Sequence, residues 1–226
     1  MKKMFLSLGL LLTVSLAIVV FNSCEKDNDD SIDSDTVSLT SDEGVVINGV
    51  KWATRNVDKP GTFTAKPEDA GMFYQWNRKV GWSATDPMIN SNGGTEWNNN
   101  SPAGIVWEKA NDPSPAGWRV PTLKEIQKLL DTDKVTQVWT AENGKNGCRF
   151  TDKTTNKSIF LPTAGYRYGF DSTLYSAGLN GYYWSSTTAS SNSHYAYVLY
   201  FNSNIAYCFY WYYRNYGQSV RSVADN

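Results

Sequence analysis

The chain has 226 residues, with 21 Lys and Arg against 22 Asp and Glu and a formal net charge of −1. That balance leaves no basic face for nucleic acid. The single histidine, His194, cannot by itself anchor a zinc site, and no acid near it in sequence would orient it as a base.

Taken in chain order, Lys2 and Lys3 precede an apolar stretch from Phe5 to Phe21, which closes on Asn22-Ser23-Cys24. The pattern is that of a secretory signal over residues 1–23. It resembles a bacterial lipoprotein signal, and the resemblance implies that Cys24 is lipidated and becomes the mature N-terminus. A transmembrane anchor is the competing reading. The run is at the short end of what spans a bilayer, and the Ser-Cys ending followed by acids favours cleavage. Residues 24–44 are polar and acidic and read as a disordered tether. An acidic run behind a lipidated Cys resembles the tag that some Gram-negative bacteria use for export. The implied location is the outer membrane, surface-exposed, with the lipid as the only membrane contact. Residues 45–226 remain for one domain with a real core.

Within that domain, Val45 to Ala53 reads as a hairpin turning at Asn48-Gly49. Residues 58–71 are loop, and Met72 to Trp76 is a short aromatic strand. Residues 85–104 form a long polar loop of a kind that can frame a site. A helix starts at Thr122, which has capping-box spacing to Glu125, and Leu123, Ile126, Leu129 and Leu130 give it one apolar face. Gly147 to Phe150 pairs with Lys157 to Pro162. Strands are expected at Gly181 to Ser186, His194 to Phe201 and Ile205 to Tyr213, with turns at 202–204 and 214–217.

The most informative stretch lies at the C-terminal end. From Ser172 to Tyr213 there is no Asp, Glu, Lys or Arg, and fourteen aromatics fall between Tyr182 and Tyr216. Ordinary exposed surface carries Lys and Glu. Tyr and Trp with Ser, Asn and Gly spacers are the composition of a recognition surface. In His194 to Phe201, Leu199 and Phe201 are expected in the core, with Val198 and Tyr200 turned outward. In Ile205 to Tyr213 both faces are aromatic, so alternation does not say which is buried.

Five segments carry a family resemblance. They are Asn48 to Asn56, Gly117-Trp118-Arg119-Val120-Pro121-Thr122 to Ile126, and Leu161-Pro162-Thr163-Ala164-Gly165-Tyr166-Arg167. Gly181 to Ser186 and the closing Arg214 to Arg221 complete the set. Together they resemble the Fibrobacter succinogenes major paralogous domain over residues 45–224. The resemblance implies an α+β, C-type-lectin-like fold similar to the formylglycine-generating domain, with short antiparallel strands, one or two helices and long loops. The family implies no catalytic residues. Its closing motif often ends Val-Arg-Cys, whereas here it is Val220-Arg221-Ser222. The C-terminal segment also resembles the variable region of retroelement-diversified receptors. Mutated Asn codons there cannot yield Lys, Glu, Gln, Met or Trp, and between Thr188 and Tyr216 only Trp211 breaks that rule.

The expected ligand-binding residues are Tyr195, Tyr197, Tyr200, Tyr207, Phe209, Tyr210, Trp211, Tyr212, Tyr213 and Asn215. The expected ligand is a protein or a glycan. A structural subunit of a surface assembly is the second reading, and a formylglycine-generating type of enzyme the third. No cofactor or metal is expected: Cys148 and Cys208 lack ligand spacing and stand either as a disulfide or as two unpaired residues, and the acids lack a calcium-loop pattern. Arg119, Arg167, Arg214 and Arg221 are expected to hold turns and carbonyls, and Glu125 to cap the helix.

Overall fold

A computed structural model describes residues 38–189 and 194–225, without the side chain of Phe209. The signal over 1–23, Cys24 and most of the acidic tether lie outside the described residues. The described residues belong to one compact unit, Val37–Asn226.

The strands in chain order are β1 (Val45–Ile47), β2 (Val50–Trp52), β3 (Met72–Tyr74), β4 (Gly81–Ser83) and β5 (Trp118–Arg119). Helix α1 (Leu123–Leu129) follows. Then come β6 (Val135–Glu142), β7 (Lys145–Asp152), β8 (Ser158–Pro162), β9 (Tyr166–Arg167) and β10 (Leu174–Tyr175). The chain closes with β11 (Gly181–Thr188), β12 (Tyr195–Phe201), β13 (Ala206–Tyr213) and β14 (Val223–Ala224). All strand pairs are antiparallel and form small sheets: β1-β2-β14-β5, β3-β4, β6-β7-β8, β9-β10 and β11-β12-β13. With one α-helix among the described residues, this is a β-rich α+β fold.

Local chemistry explains the clearest elements. Asn48 and Gly49 take φ of 45° and 75°, the left-handed pair that a two-residue hairpin needs. The Thr122 hydroxyl accepts from Glu125 N and the Glu125 carboxylate accepts from Thr122 N, closing both ends of a capping box. Ile126 and Leu129 bury, and Leu123 and Leu130 flank them. The sequence reading missed β6. Its signal was present in Asn143-Gly144, at φ 46° and 77°, which turns β6 into β7.

Two expectations need correction. Residues 38–44 are not a free tether. The Asp42 carboxylate accepts from the backbone N and hydroxyl of Thr54 and from Arg55 Nε, and Phe63 N donates to Leu39 O. A buried carboxylate with that many donors ties the segment to the domain. Val198 does not face outward. It is fully buried, as is Ala196 beside it, because β12 is central and both its faces are covered. Leu199 and Phe201 join one core with α1, β7 and β8, whereas Ala196 and Val198 join another with Trp76, Trp184 and Val220.

Gly181 is forced by the same crowding. A Cβ there would stand 2.2 Å from the Phe201 ring across the strand pair. Arg167, Arg214 and Arg221 act on backbone carbonyls as expected, whereas Arg119 acts mainly on a carboxylate. Arg221 is 1 % exposed and donates to Asn56 Oδ1, Ala53 O and Phe160 O. Arg167 donates to Ser83 O, Thr85 O and Ser172 O. Arg119 grips Glu125 through two nitrogens.

Candidate functional site: an aromatic cleft on β13

The three-stranded sheet brings the aromatic block together by register. Tyr195 lies opposite Tyr213, Tyr197 opposite Trp211, Tyr200 opposite Tyr207 and Tyr182 opposite Tyr200. Between Val198 and Tyr200 the register slips by one residue, so β13 bulges between Tyr207 and Tyr210. The extra residue sends Cys208 into the core while Tyr207 and Tyr210 stay with Tyr200.

The rings form a continuous cluster. Tyr182 touches Tyr200 and Tyr212 at centroid distances of 5.0 and 5.3 Å. Tyr210 touches Tyr207 and Tyr212, each at 5.6 Å. Tyr195 meets both Trp211 and Tyr213 at 4.4 Å. Tilted and edge-on pairs at these spacings add stability beyond burial alone. The cluster also recruits residues that sequence reasoning did not single out. Tyr166 stacks on Tyr216, Tyr168 packs edge-on against it, and Phe170 reaches Tyr213. Their aromatic character was visible, but only the fold places β9 and the Arg214–Gly217 turn against β13.

A cleft of about 410 Å³ opens in this cluster, lined by Tyr195, Tyr210, Trp211, Tyr212, Tyr213 and Tyr216. That is within the size range of small-ligand sites, roughly 300–1,000 Å³. Tyr210 and Trp211 are each 49 % exposed and Tyr213 is 38 % exposed, so three large rings of one strand reach solvent.

Five of the expected residues line the cleft: Tyr195, Tyr210, Trp211, Tyr212 and Tyr213. Tyr200 and Tyr207 belong to the ring cluster behind it, and Tyr197 is half-buried opposite Trp211. The side chain of Phe209 lies outside the described residues. Asn215 is corrected: it is buried, and its amide donates to Asn99 O and Gly169 O. A turn amide with two internal acceptors is a tie and not a ligand contact.

That tie gives the 85–104 loop its role. Gln75 Nε2 donates to Asn98 O and to Asn215 O, Trp97 Nε1 to Gly169 O, and Arg214 to Gly104 O. The loop thus holds the turn behind the cleft. Arg214 is itself buried, with its guanidinium 4.8 Å above the Trp76 ring, and leaves the cleft uncharged.

Three of the lining phenols hold their protons more tightly than a free tyrosine. Burial, reinforced by Tyr182, pushes the Tyr212 hydroxyl well above the ordinary tyrosine value. Burial and Tyr168 do the same for Tyr216. The hydrogen bond that Tyr195 donates to its neighbour Tyr213 raises the Tyr195 hydroxyl above its ordinary value. The cleft therefore offers flat rings and neutral hydroxyls that both donate and accept.

Among the described residues the walls carry no thiol, imidazole or carboxylate. Cys148 and Cys208 are free and buried, and burial pushes the Cys148 thiol up to about 12. Among the described residues there is no cluster of His, Cys, Asp and Glu able to hold a metal, and no helix long and apolar enough to cross a membrane.

Residues 139–223 match a family model described as a domain of unknown function, DUF8237. The match runs from β6 to β14 and contains the whole aromatic sheet. No curated protein and no solved structure matches the chain.

Proposed function

We propose that this chain is a surface-displayed binding module, C-type-lectin-like in fold, that recognises a protein or glycan through the β13 cleft. In this reading Cys24 carries a lipid that anchors the chain to the outer membrane, and the acidic segment holds the domain away from it. The observation that carries the reading is the exposure of Tyr210, Trp211 and Tyr213 around an uncharged cleft. Exposed aromatic patches of this kind mark interaction sites, and Tyr and Trp are the usual anchors of binding energy.

The test is to screen the whole chain against glycan and cell-surface protein arrays, beside the variant Tyr210→Ala, Trp211→Ala, Tyr213→Ala. The variant should lose the hits and keep its melting temperature within a few degrees. Retained binding rejects the site. Labelling of Cys24 with a fatty acid, and its loss in Cys24→Ser, tests the anchor separately.

A further inference from the structure

The residues lining the cleft do not share one face of the sheet. Tyr210, Trp211, Tyr212 and Tyr213 are consecutive in β13, and consecutive strand residues point to opposite faces. Trp211 and Tyr213 lie on the side of Tyr197 and Tyr195, and Tyr210 and Tyr212 on the side of Val198 and Ala196. These four residues border the cleft together with Tyr195 of β12 and Tyr216, and the outer margin of β13 runs along Tyr210–Tyr213.

That margin is open. β13 is the last strand of its sheet, and no described strand or bridge pairs with its outer side. The opposite margin is closed. Trp184 N donates to Ser219 O, Ser219 N to Tyr182 O, and Ser186 N to Pro121 O. An open edge is a template for another strand, and natural sheets guard such edges with Lys, Pro or inward charges. β13 reads Ala-Tyr-Cys-Phe-Tyr-Trp-Tyr-Tyr and carries none of these. Its bulge interrupts the Tyr207 end, but from Tyr210 to Tyr213 the register is regular. The walls also say what can enter. A carboxylate between aromatic rings would lose hydration without gaining a counter-charge.

We infer that Tyr210–Tyr213 is an edge-docking site, where an extended peptide segment of a partner protein, free of acidic side chains, adds as a fourth strand. Its backbone bonds to β13, and its side chains alternate between the Tyr210/Tyr212 and Trp211/Tyr213 walls. This rests on the reading of the cleft as a ligand site and specifies the ligand further.

The experiment uses the whole chain against a displayed library of short random peptides, with an array of neutral glycans in parallel. The best peptide is then remade with N-methyl groups on one alternate set of backbone amides, and separately on the other set. Strand addition uses only one set. One methylated peptide should therefore bind at least about ten-fold more weakly while the other changes little, the scale set by a few lost backbone hydrogen bonds. The protein is unaltered in the peptide and glycan measurements, so folding does not enter them.

Equal sensitivity of both sets, or glycan binding without peptide binding, overturns strand addition and leaves the cleft as the site. Self-association that Trp211→Lys abolishes also overturns the inference, because a second copy then holds the edge. Failure of peptides and glycans alike overturns the inference and the reading beneath it.

Discussion

The rings of Tyr166 and Tyr216 lie face to face, with centroids 5.6 Å apart and planes 6° apart. Tyr166 comes from β9 and Tyr216 from the turn after β13, so this stack locks the cleft to the body of the domain. Tyr216 is 8 % exposed and touches Tyr168, Tyr212 and Tyr213 as well. Tyr216→Ala should cost about 3 kcal/mol, the scale of a large buried aromatic. A urea titration with an unchanged slope reads the loss directly, and a loss below half that value contradicts the locking role.

The exposed rings should behave differently. Tyr210→Ala and Trp211→Ala each remove a half-exposed side chain and should change stability by less than about 1 kcal/mol. Tyr212 packs against four other tyrosines, and Tyr212→Ala should cost at least twice as much. Thermal melts of the three variants give the order. A reversed order would mean that the cleft walls are core.

Arg221 holds three acceptors from three parts of the chain. Arg221→Met leaves Asn56 Oδ1, Ala53 O and Phe160 O buried without that donor and should cost about 3 kcal/mol. Arg221→Lys should recover less than half of this, because an ammonium cannot reproduce a planar fork. Full rescue by Lys, measured by chemical denaturation, would show that charge alone matters there.

Stability should fall in alkali. Burial raises the Cys148 thiol from an ordinary 9.0 to about 12, and raises Cys208 too. The folded state keeps these protons where the unfolded chain releases them. Their contribution is complete below pH 9.0 and is lost as pH rises toward the folded value, by at most about 1.4 kcal/mol per pH unit for each thiol. Above pH 10 the Tyr183 phenol, raised by burial to about 12, acts in the same sense, while Arg221, lowered by burial to about 10, acts in the opposite one. The clean window is therefore just above the ordinary thiol value, and Cys148→Ala should flatten the fall there. Cys148 and Cys208 should also resist thiol reagents until the domain unfolds. A flat profile, or rapid labelling of either of these two thiols in the folded chain, contradicts the burial argument.

The capping box makes a smaller prediction. Thr122→Ala should cost about 1 kcal/mol. Burial by itself would raise the Glu125 carboxyl, yet Arg119 and Thr122 hold it below the ordinary 4.5. A depressed acid stabilises the fold above its unfolded value, and that stability fades as pH falls through the folded one. Glu125→Gln should weaken the acid dependence in denaturation series run down to that range.

Signals that depend on neighbouring residues were legible in the sequence. Asn48-Gly49 specified a hairpin because its two residues must take positive φ, and Thr122 with Glu125 specified a helix start because both bonds are local. The strands around the Asn202-Ser203-Asn204 turn were legible for the same reason. Asn143-Gly144 carried an equal signal for β6, which the reading did not use.

The role of each aromatic was not legible. Val198 and Tyr210 are cross-strand partners, yet one is fully buried and the other half-exposed. Alternation assigns a face to a residue but not a neighbour to a face. Asn215 looked like a binding amide until the 85–104 loop and Gly169 supplied its acceptors.

The amino-acid sequence by itself determined that an uncharged, tyrosine-rich segment forms a hairpin ahead of the Arg214–Gly217 turn, because composition and turn chemistry are local properties. Only the tertiary structure decided that β12 is covered on both faces and that β13 stands at an open edge. Those outcomes depend on which distant segments, α1, β8, β9 and the Ser219 segment, pack against the hairpin and which leave it bare.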